Sequence, residues 1–117
     1  MAVEFSLLLP VIIMLSFGVI EFGRMLWIQS TLQYAVDQTA RFAIVNPTAT
    51  AVDLKAYAAT QISGFDPATV TITATPVTVG GVDFMDIIAT TTFSAVTAYV
   101  PAASVSLKSE NRVPLVR

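Results

Sequence analysis

The chain begins with its longest uncharged stretch. Residues 5–20, FSLLLPVIIMLSFGVI, carry no charge, and Glu4 stands directly before them. As a helix these residues span about 24 Å, and extension through Ile28 gives about 36 Å, more than the ~30 Å hydrocarbon core of a bilayer. The pattern predicts a single membrane-spanning helix. A secretory signal peptide fits poorly, because the first basic residue is Arg24 and no small-residue cleavage site follows the run.

The helical pattern continues past the apolar run. Apolar residues recur at close to helical spacing, at Ile28, Leu32, Ala35, Val36, Ala40 and Ala43. Asp37 and Arg41 have the spacing of an i,i+4 ion pair, and Pro47 ends the helix near Val45. The sequence predicts one helix from about residue 2 to residue 45, apolar all round in its first half and amphipathic in its second. A head of this size cannot cover the first half, so something outside the head must do so.

A short helix and a switch to strand periodicity follow. TATAVDLKAYAATQISG predicts a helix with Thr50 and Asp53 in a capping arrangement. From residue 68 the period becomes two, with threonines alternating against apolar residues in TVTITATPVTV. Pro76 indicates that this strand lies at a sheet edge or ends there, and Gly80-Gly81 predicts a tight turn.

Two more strands complete the predicted sheet. VDFMDIIATTTFSAV is interpreted as a strand with apolar residues at Val82, Phe84 and, after a possible break in phase, Ile88. Residues 97–103 are interpreted as a connection, and SVSLKSENRVPLV as a third strand in which Val105 and Leu107 alternate with polar neighbours. A three-stranded antiparallel sheet needs a cover for its apolar face, and the amphipathic half of the long helix can supply it. The predicted class is α+β: a long N-terminal helix packed on a small head with a short helix and this sheet.

Composition argues against several functions. The chain has 117 residues, of which 12% are charged, whereas soluble domains average about 25%. A net charge of -2 and the absence of a basic cluster predict no nucleic-acid partner. Histidine and cysteine are both absent, which removes the commonest acid-base group and all thiol chemistry. Asp83 and Asp86 would point to opposite faces of a strand. We therefore predict no enzyme activity, no catalytic or metal site and no cofactor.

Pro10 and Gly18 interrupt the apolar run, and Gly23 lies in the helical turn that follows it. Pro10 predicts a kink or a locally melted turn around residues 6–10. Gly18 and Gly23 offer small surfaces that another helix can approach. Two interpretations remain open, a plain membrane anchor that tolerates these residues and a helix made to pack against copies of itself.

The N-terminal motifs resemble the TadE-like family of type IV pilin-like proteins of the tight-adherence (Tad) pilus system. The resemblance is carried by Ala2-Val3-Glu4-Phe5, by the apolar run with Pro10, and by Gly18-x-x-Glu21-Phe22-Gly23-Arg24. It covers the first 45 residues well and the remainder loosely. The combined pattern is more specific than any one of its parts.

The resemblance implies a bacterial pilus subunit with a pilin-type helix. Such a protein has a short leader removed by a prepilin peptidase, is held in the inner membrane, and is then assembled through its N-terminal helices into an extracellular helical filament for adhesion. Residues 1–27 would form the membrane and filament-core helix, and residues 28–117 the rest of the helix and the head. Alternatives are a low-copy minor pseudopilin that initiates assembly, and a membrane-tethered binding module.

The resemblance also implies a set of subunit-assembly residues: Met1, Glu4, Phe5, Pro10, Gly18, Glu21, Gly23 and Arg24. We hypothesise that Glu4 pairs with the α-amino group of Met1, in its own chain or a neighbour's. An unpaired carboxylate in an apolar bundle is unfavourable, so such a pair would fix the axial register between subunits. The family usually places this glutamate one position later relative to the cleavage point, which puts the processing position of this chain in question.

Overall fold

A computed structural model describes residues 1–93 and 105–115. Two helices, α1 (Ala2–Val45) and α2 (Ala51–Thr60), precede three strands, β1 (Thr71–Val79), β2 (Val82–Phe93) and β3 (Val105–Pro114), and a single 3₁₀ turn (Pro67–Thr69) leads into β1. The predicted α+β architecture is confirmed. The connection expected at residues 97–103 lies outside the described residues.

Helix α1 has the bounds that the sequence predicts. It runs for 44 residues and passes through Pro10 without interruption, so the expected locally melted turn is not present. At its end the backbone N–H and the side-chain Nδ2 of Asn46 both donate to the carbonyl of Phe42, each at 3.0 Å. Pro47 follows directly, and a proline disfavours helical geometry in the residue before it.

The second half of α1 covers the sheet. Its apolar positions are buried at Ile28, Leu32, Ala35, Val36, Ala40 and Ala43. These side chains form one core with residues of α2 and of all three strands. The predicted role of the amphipathic half as the cover of the sheet is therefore confirmed. Its buried apolar face holds this half of the helix against the head.

Helix α2 closes one end of this core. Thr50 and Asp53 form a capping box, in which each residue's side chain accepts a hydrogen bond from the other's backbone N–H. Leu54 and Ala58 lie one turn apart on the buried face, each about 1% exposed. The cap and the i,i+4 apolar pair together account for a helix of only ten residues.

The sheet is an antiparallel meander in the order β1-β2-β3. Strand β1 is an edge strand, as Pro76 predicts, and it continues past the proline to Val79. The turn between β1 and β2 is formed by Gly80 and Gly81, with φ of 61° and 80°. Two consecutive positive φ values are what a type I′ hairpin turn requires, and glycine adopts them without strain.

The predicted face of β2 is wrong. Met85, Ile87 and Ala89 point into the core, while Val82 is exposed and Phe84 and Ile88 are half-buried on the other side. Both faces of β2 carry apolar residues, so alternation alone cannot choose between them. The position of Asp86 indicates which face is outward, because its carboxylate pairs with Arg112 on the outer face of the neighbouring strand.

Candidate membrane-anchoring and assembly site

The N-terminal part of α1 is mostly exposed. No residue before Glu21 is buried, and an 18-residue window of α1 with mean hydropathy 2.3 has none of its residues buried. We call residues 2–20 the bare rod. Twelve large apolar side chains of the bare rod are exposed: Val3, Phe5, Leu7, Leu8, Leu9, Val11, Ile12, Ile13, Met14, Leu15, Val19 and Ile20. Helix α1 is long and apolar enough to span a membrane.

Glu4 lies in the first turn of the bare rod. Its carboxylate is favoured there by the positive end of the helix dipole. Among the described residues no ion pair joins Glu4 to the α-amino group of Met1 within the single chain. The hypothesis that Glu4 pairs with the amine of a neighbouring copy stays a prediction, as do the assembly roles of Phe5 and Pro10.

Gly18 and Gly23 both face open space. A Cβ atom built on either glycine would meet no heavy atom within 4 Å. The fold of the single chain therefore does not require a glycine at these positions. The expectation that another helix approaches them remains a prediction about assembly.

The head begins at a charged cluster on α1. Glu21, only 5% exposed, is the first buried residue of the chain. The Nε and Nη2 atoms of Arg24 donate to Glu21 Oε2 at 3.2 and 3.1 Å. The guanidinium of Arg24 also lies 4.5 Å from the ring centroid of Phe93, the last residue of β2. This cation–π contact ties the sheet to the junction of rod and head. The i,i+3 spacing of Glu21 and Arg24 places them on one face of the helix, but no local signal points to Phe93.

A second contact at the junction involves aromatic rings. Trp27 meets Phe65 edge to face, with ring centroids 5.9 Å apart. The indole also covers Gly64, so that a Cβ at position 64 would overlap it. Trp27 remains 47% exposed. This placement suits a residue at a membrane–water boundary, where tryptophan keeps one side in an apolar setting.

The two acidic residues of β2, Asp83 and Asp86, both have hydrogen-bond partners in the sheet. Asp83 accepts a hydrogen bond from Thr78. Asp86 accepts two from Arg112, which hold the pKa of the Asp86 carboxyl below its usual value. The described residues contain no cluster of His, Cys, Asp and Glu that could hold a metal ion. These carboxylates lie apart and fit the roles of turn and sheet-surface groups.

The predicted Asp37–Arg41 pair is wrong. Asp37 Oδ1 instead accepts hydrogen bonds from Gln33 Nε2 at 2.9 Å and from Asn111 Nδ2 at 3.0 Å. The bond to Asn111 joins α1 to β3 across 74 residues of sequence. Helical spacing places Arg41 within reach of Asp37, but it carries no information about a partner supplied by the sheet.

The fold and the bare rod define a class: a small α+β head carried on an apolar helix long enough to span a membrane. A family model described as TadE-like protein matches residues 1–41. This match confirms the resemblance over the bare rod, the charged cluster and most of the amphipathic half of α1. The matched family is a pilus-related structural family, which fits a pilus-associated membrane protein. No curated protein and no solved structure matches the chain.

Proposed function

We propose that the protein is a structural subunit of a bacterial Tad-type type IV pilus. In this proposal α1 holds the subunit in the inner membrane until the assembly machinery transfers it into a helical filament that adheres to surfaces. A prepilin peptidase would remove a leader before transfer. The homo-oligomer would form through the N-terminal helices, with the heads on the outside.

The observation that supports this proposal is the bare rod. Its nineteen residues of regular helix, about 28 Å long, include no buried residue, and most of their large apolar side chains are exposed. Each large apolar side chain moved out of water contributes about 1.5–3 kcal/mol, so the twelve exposed in the rod amount to on the order of 20 kcal/mol. Lipid supplies this cover in the membrane, and neighbouring rods supply it after extraction.

The test is immunogold electron microscopy of material sheared from cells, with antibodies raised against the head. Label along the length of fibres is the expected result. Label at one fibre end only would favour an initiating pseudopilin. Protein that stays in membranes and is monomeric in detergent would overturn the proposal in favour of a tethered binding module.

A pair of matched variants sharpens this test. Ile12→Asp places a charge in the middle of the bare rod, and Thr73→Asp places one on the exposed outer face of β1. We expect Ile12→Asp to reduce both membrane retention and the number of labelled fibres, because a charge at the centre of a bilayer costs about 3 kcal/mol or more. Thr73→Asp should leave both at the level of the unmodified protein.

A further inference from the structure

A groove of about 520 Å³ lies between the end of α1 and helix α2. Phe42 and the C-cap residue Asn46 line it from the side of α1, one turn apart. Asp53, Tyr57 and Thr60 line it from successive turns of α2. We call these five residues the α1–α2 groove. Its volume is within the range of about 300–1,000 Å³ that small-molecule sites occupy.

The apolar wall of the α1–α2 groove is an aromatic pair. The rings of Phe42 and Tyr57 are stacked, with centroids 4.3 Å apart and an interplanar angle of 13°. Both residues are only half-buried, so the pair keeps apolar surface toward the groove. The face of an aromatic ring carries negative partial charge and attracts weakly positive C–H groups. A flat ligand with C–H groups on one face can therefore stack on this wall.

The rim of the α1–α2 groove carries hydrogen-bonding groups that the fold does not use. Asp53 accepts two bonds from Thr50 through Oδ2, and Asn46 donates from Nδ2 to the carbonyl of Phe42. Among the described residues, Oδ1 of Asp53, Oδ1 of Asn46 and the hydroxyl of Tyr57 have no hydrogen-bond partner. A ligand that bonds to these three groups displaces water and breaks no bond of the head.

The charge of the groove narrows the class of ligand. Asp53 is the only charged residue among the described residues that line it, so a phosphate or a carboxylate would meet a like charge and no compensating cation. A cationic ligand is best held where ring faces are turned toward it. The Phe42 and Tyr57 rings are instead turned toward each other.

We propose that the α1–α2 groove binds a neutral sugar ring of a surface glycan. A sugar ring has C–H groups on one face, which stack on the aromatic pair, and hydroxyl groups at its edge, which donate to Asp53 and Asn46. This inference deepens the adhesive part of the proposed function and rests on it. Phe42 lies about 33 Å along α1 from Ile20, so the groove stays outside a bilayer that holds the bare rod.

The test is saturation-transfer NMR on the full chain, in a detergent without sugar or choline headgroups. The probes are glucose, galactose, N-acetylglucosamine, glucuronic acid and choline. We expect transfer from the aromatic protons of the protein to the C–H protons of one or more of the three neutral sugars. Glucuronic acid should bind about tenfold more weakly than the neutral sugars, because its carboxylate meets Asp53.

Three results of this experiment would overturn the proposal. They are the absence of transfer to all three neutral sugars, glucuronic acid binding as tightly as they do, and choline binding more tightly than they do. The last result would assign the groove to a cationic ligand instead.

A pair of matched variants locates the binding. Tyr57→Phe removes a hydroxyl and keeps the ring that stacks on Phe42, so it should weaken sugar binding about threefold to tenfold, the effect of one hydrogen bond. The unfolding temperature should not change, because that hydroxyl has no partner among the described residues. Tyr34→Phe is the control, since Tyr34 is 53% exposed on α1 and does not line the groove. Equal sugar affinities for the two variants would show that the sugar binds elsewhere.

Failure of this inference and failure of the proposed function are distinguishable. Fibres formed by a protein that binds none of the neutral sugars overturn the sugar site and leave the pilus subunit standing. Sugar binding by a protein that forms no fibres retains the site and overturns the pilus subunit in favour of a membrane-tethered binding module.

Discussion

The indole of Trp27 lies across the backbone of Gly64 at the junction of the bare rod and the head. Gly64 has φ of +89°, a conformation that glycine adopts readily and other residues rarely adopt. The neighbouring ring of Phe65 meets the indole edge to face at an interplanar angle of 76°. The loop after α2 is therefore held against α1 by one aromatic pair and by the lack of a side chain at residue 64.

Gly64→Ala should destabilise the head more than Gly81→Ala. Both glycines have positive φ, but a Cβ at residue 64 overlaps the indole of Trp27, whereas one at residue 81 meets nothing within 4 Å. We expect a loss of more than about 1 kcal/mol for Gly81→Ala and a larger loss for Gly64→Ala. Denaturant unfolding of the full chain in detergent measures both, and equal losses would contradict the contact with Trp27.

Glu21→Gln should lower the free energy of unfolding by about 1–3 kcal/mol. The side chain of Glu21 is only 6% exposed and accepts two hydrogen bonds from Arg24, so the substitution leaves the guanidinium of Arg24 without its carboxylate. Glu110→Gln is the control, because its side chain is 66% exposed beside Lys108 and surface pairs contribute little. Identical unfolding curves for the two variants would argue against a structural role for the buried carboxylate.

Ile87→Ala should destabilise the head by about 2–5 kcal/mol, the usual range for emptying a core site of this size. Ile87 is fully buried and its chain neighbour Ile88 is only half-buried on the outer face. Ile88→Ala should have the smaller effect when the two are compared by denaturant unfolding. The reverse order would mean that the face of β2 is assigned wrongly.

The stabilising effect of Asp53 should depend on pH. The backbone N–H and the hydroxyl of Thr50 both donate to this carboxylate and hold its pKa below the usual value. The ionised form is thus favoured in the folded state, so its contribution is present above the unfolded pKa and disappears as the pH falls through the folded pKa. The stability gap between the unmodified protein and Asp53→Ala should shrink below about pH 4. Val52→Ala, in the same turn but 74% exposed, should show a small and pH-independent gap.

Glu4→Gln should leave membrane insertion unchanged and reduce assembly. The carboxylate lies in the first turn of the bare rod, where no core of its own head depends on it. If Glu4 pairs with the α-amino group of Met1 in a neighbour, losing one member of that buried pair costs about 3–5 kcal/mol per subunit. Membrane fractionation and fibre yield measure the two effects separately. Normal fibre yield would refute the pairing.

The helices could be predicted from the sequence because their signals are local. The apolar run, Pro47 and the Thr50–Asp53 cap lie within a few residues of the boundaries that they set. Glu21 and Arg24 have a spacing that permits a pair, since they lie three positions apart on one helix. The family motifs around them are equally local, and the family match falls on the same part of the chain.

The features that sequence reasoning missed depend on partners far along the chain. Phe93 meets Arg24, and Asn111 meets Asp37, only because the sheet docks on α1 in one register. The outward face of β2 is likewise marked by a distant residue, because Asp86 on that face pairs with Arg112 on the neighbouring strand β3. A strand with apolar residues on both sides gives no period from which its inward face can be read, so the long-range ion pair settles what the local pattern leaves open.

The docking of β3 on α1 has a consequence for biosynthesis. Gln29 of α1 donates to the carbonyl of Lys108 and to the hydroxyl of Ser109, both in β3. Helix α1 is translated before the strands, and β3, which these bonds join to α1, is the last of the three strands that the structure describes. The head can therefore reach its final packing only after β3 has been translated, whereas α1 is already long and apolar enough to span a membrane before then.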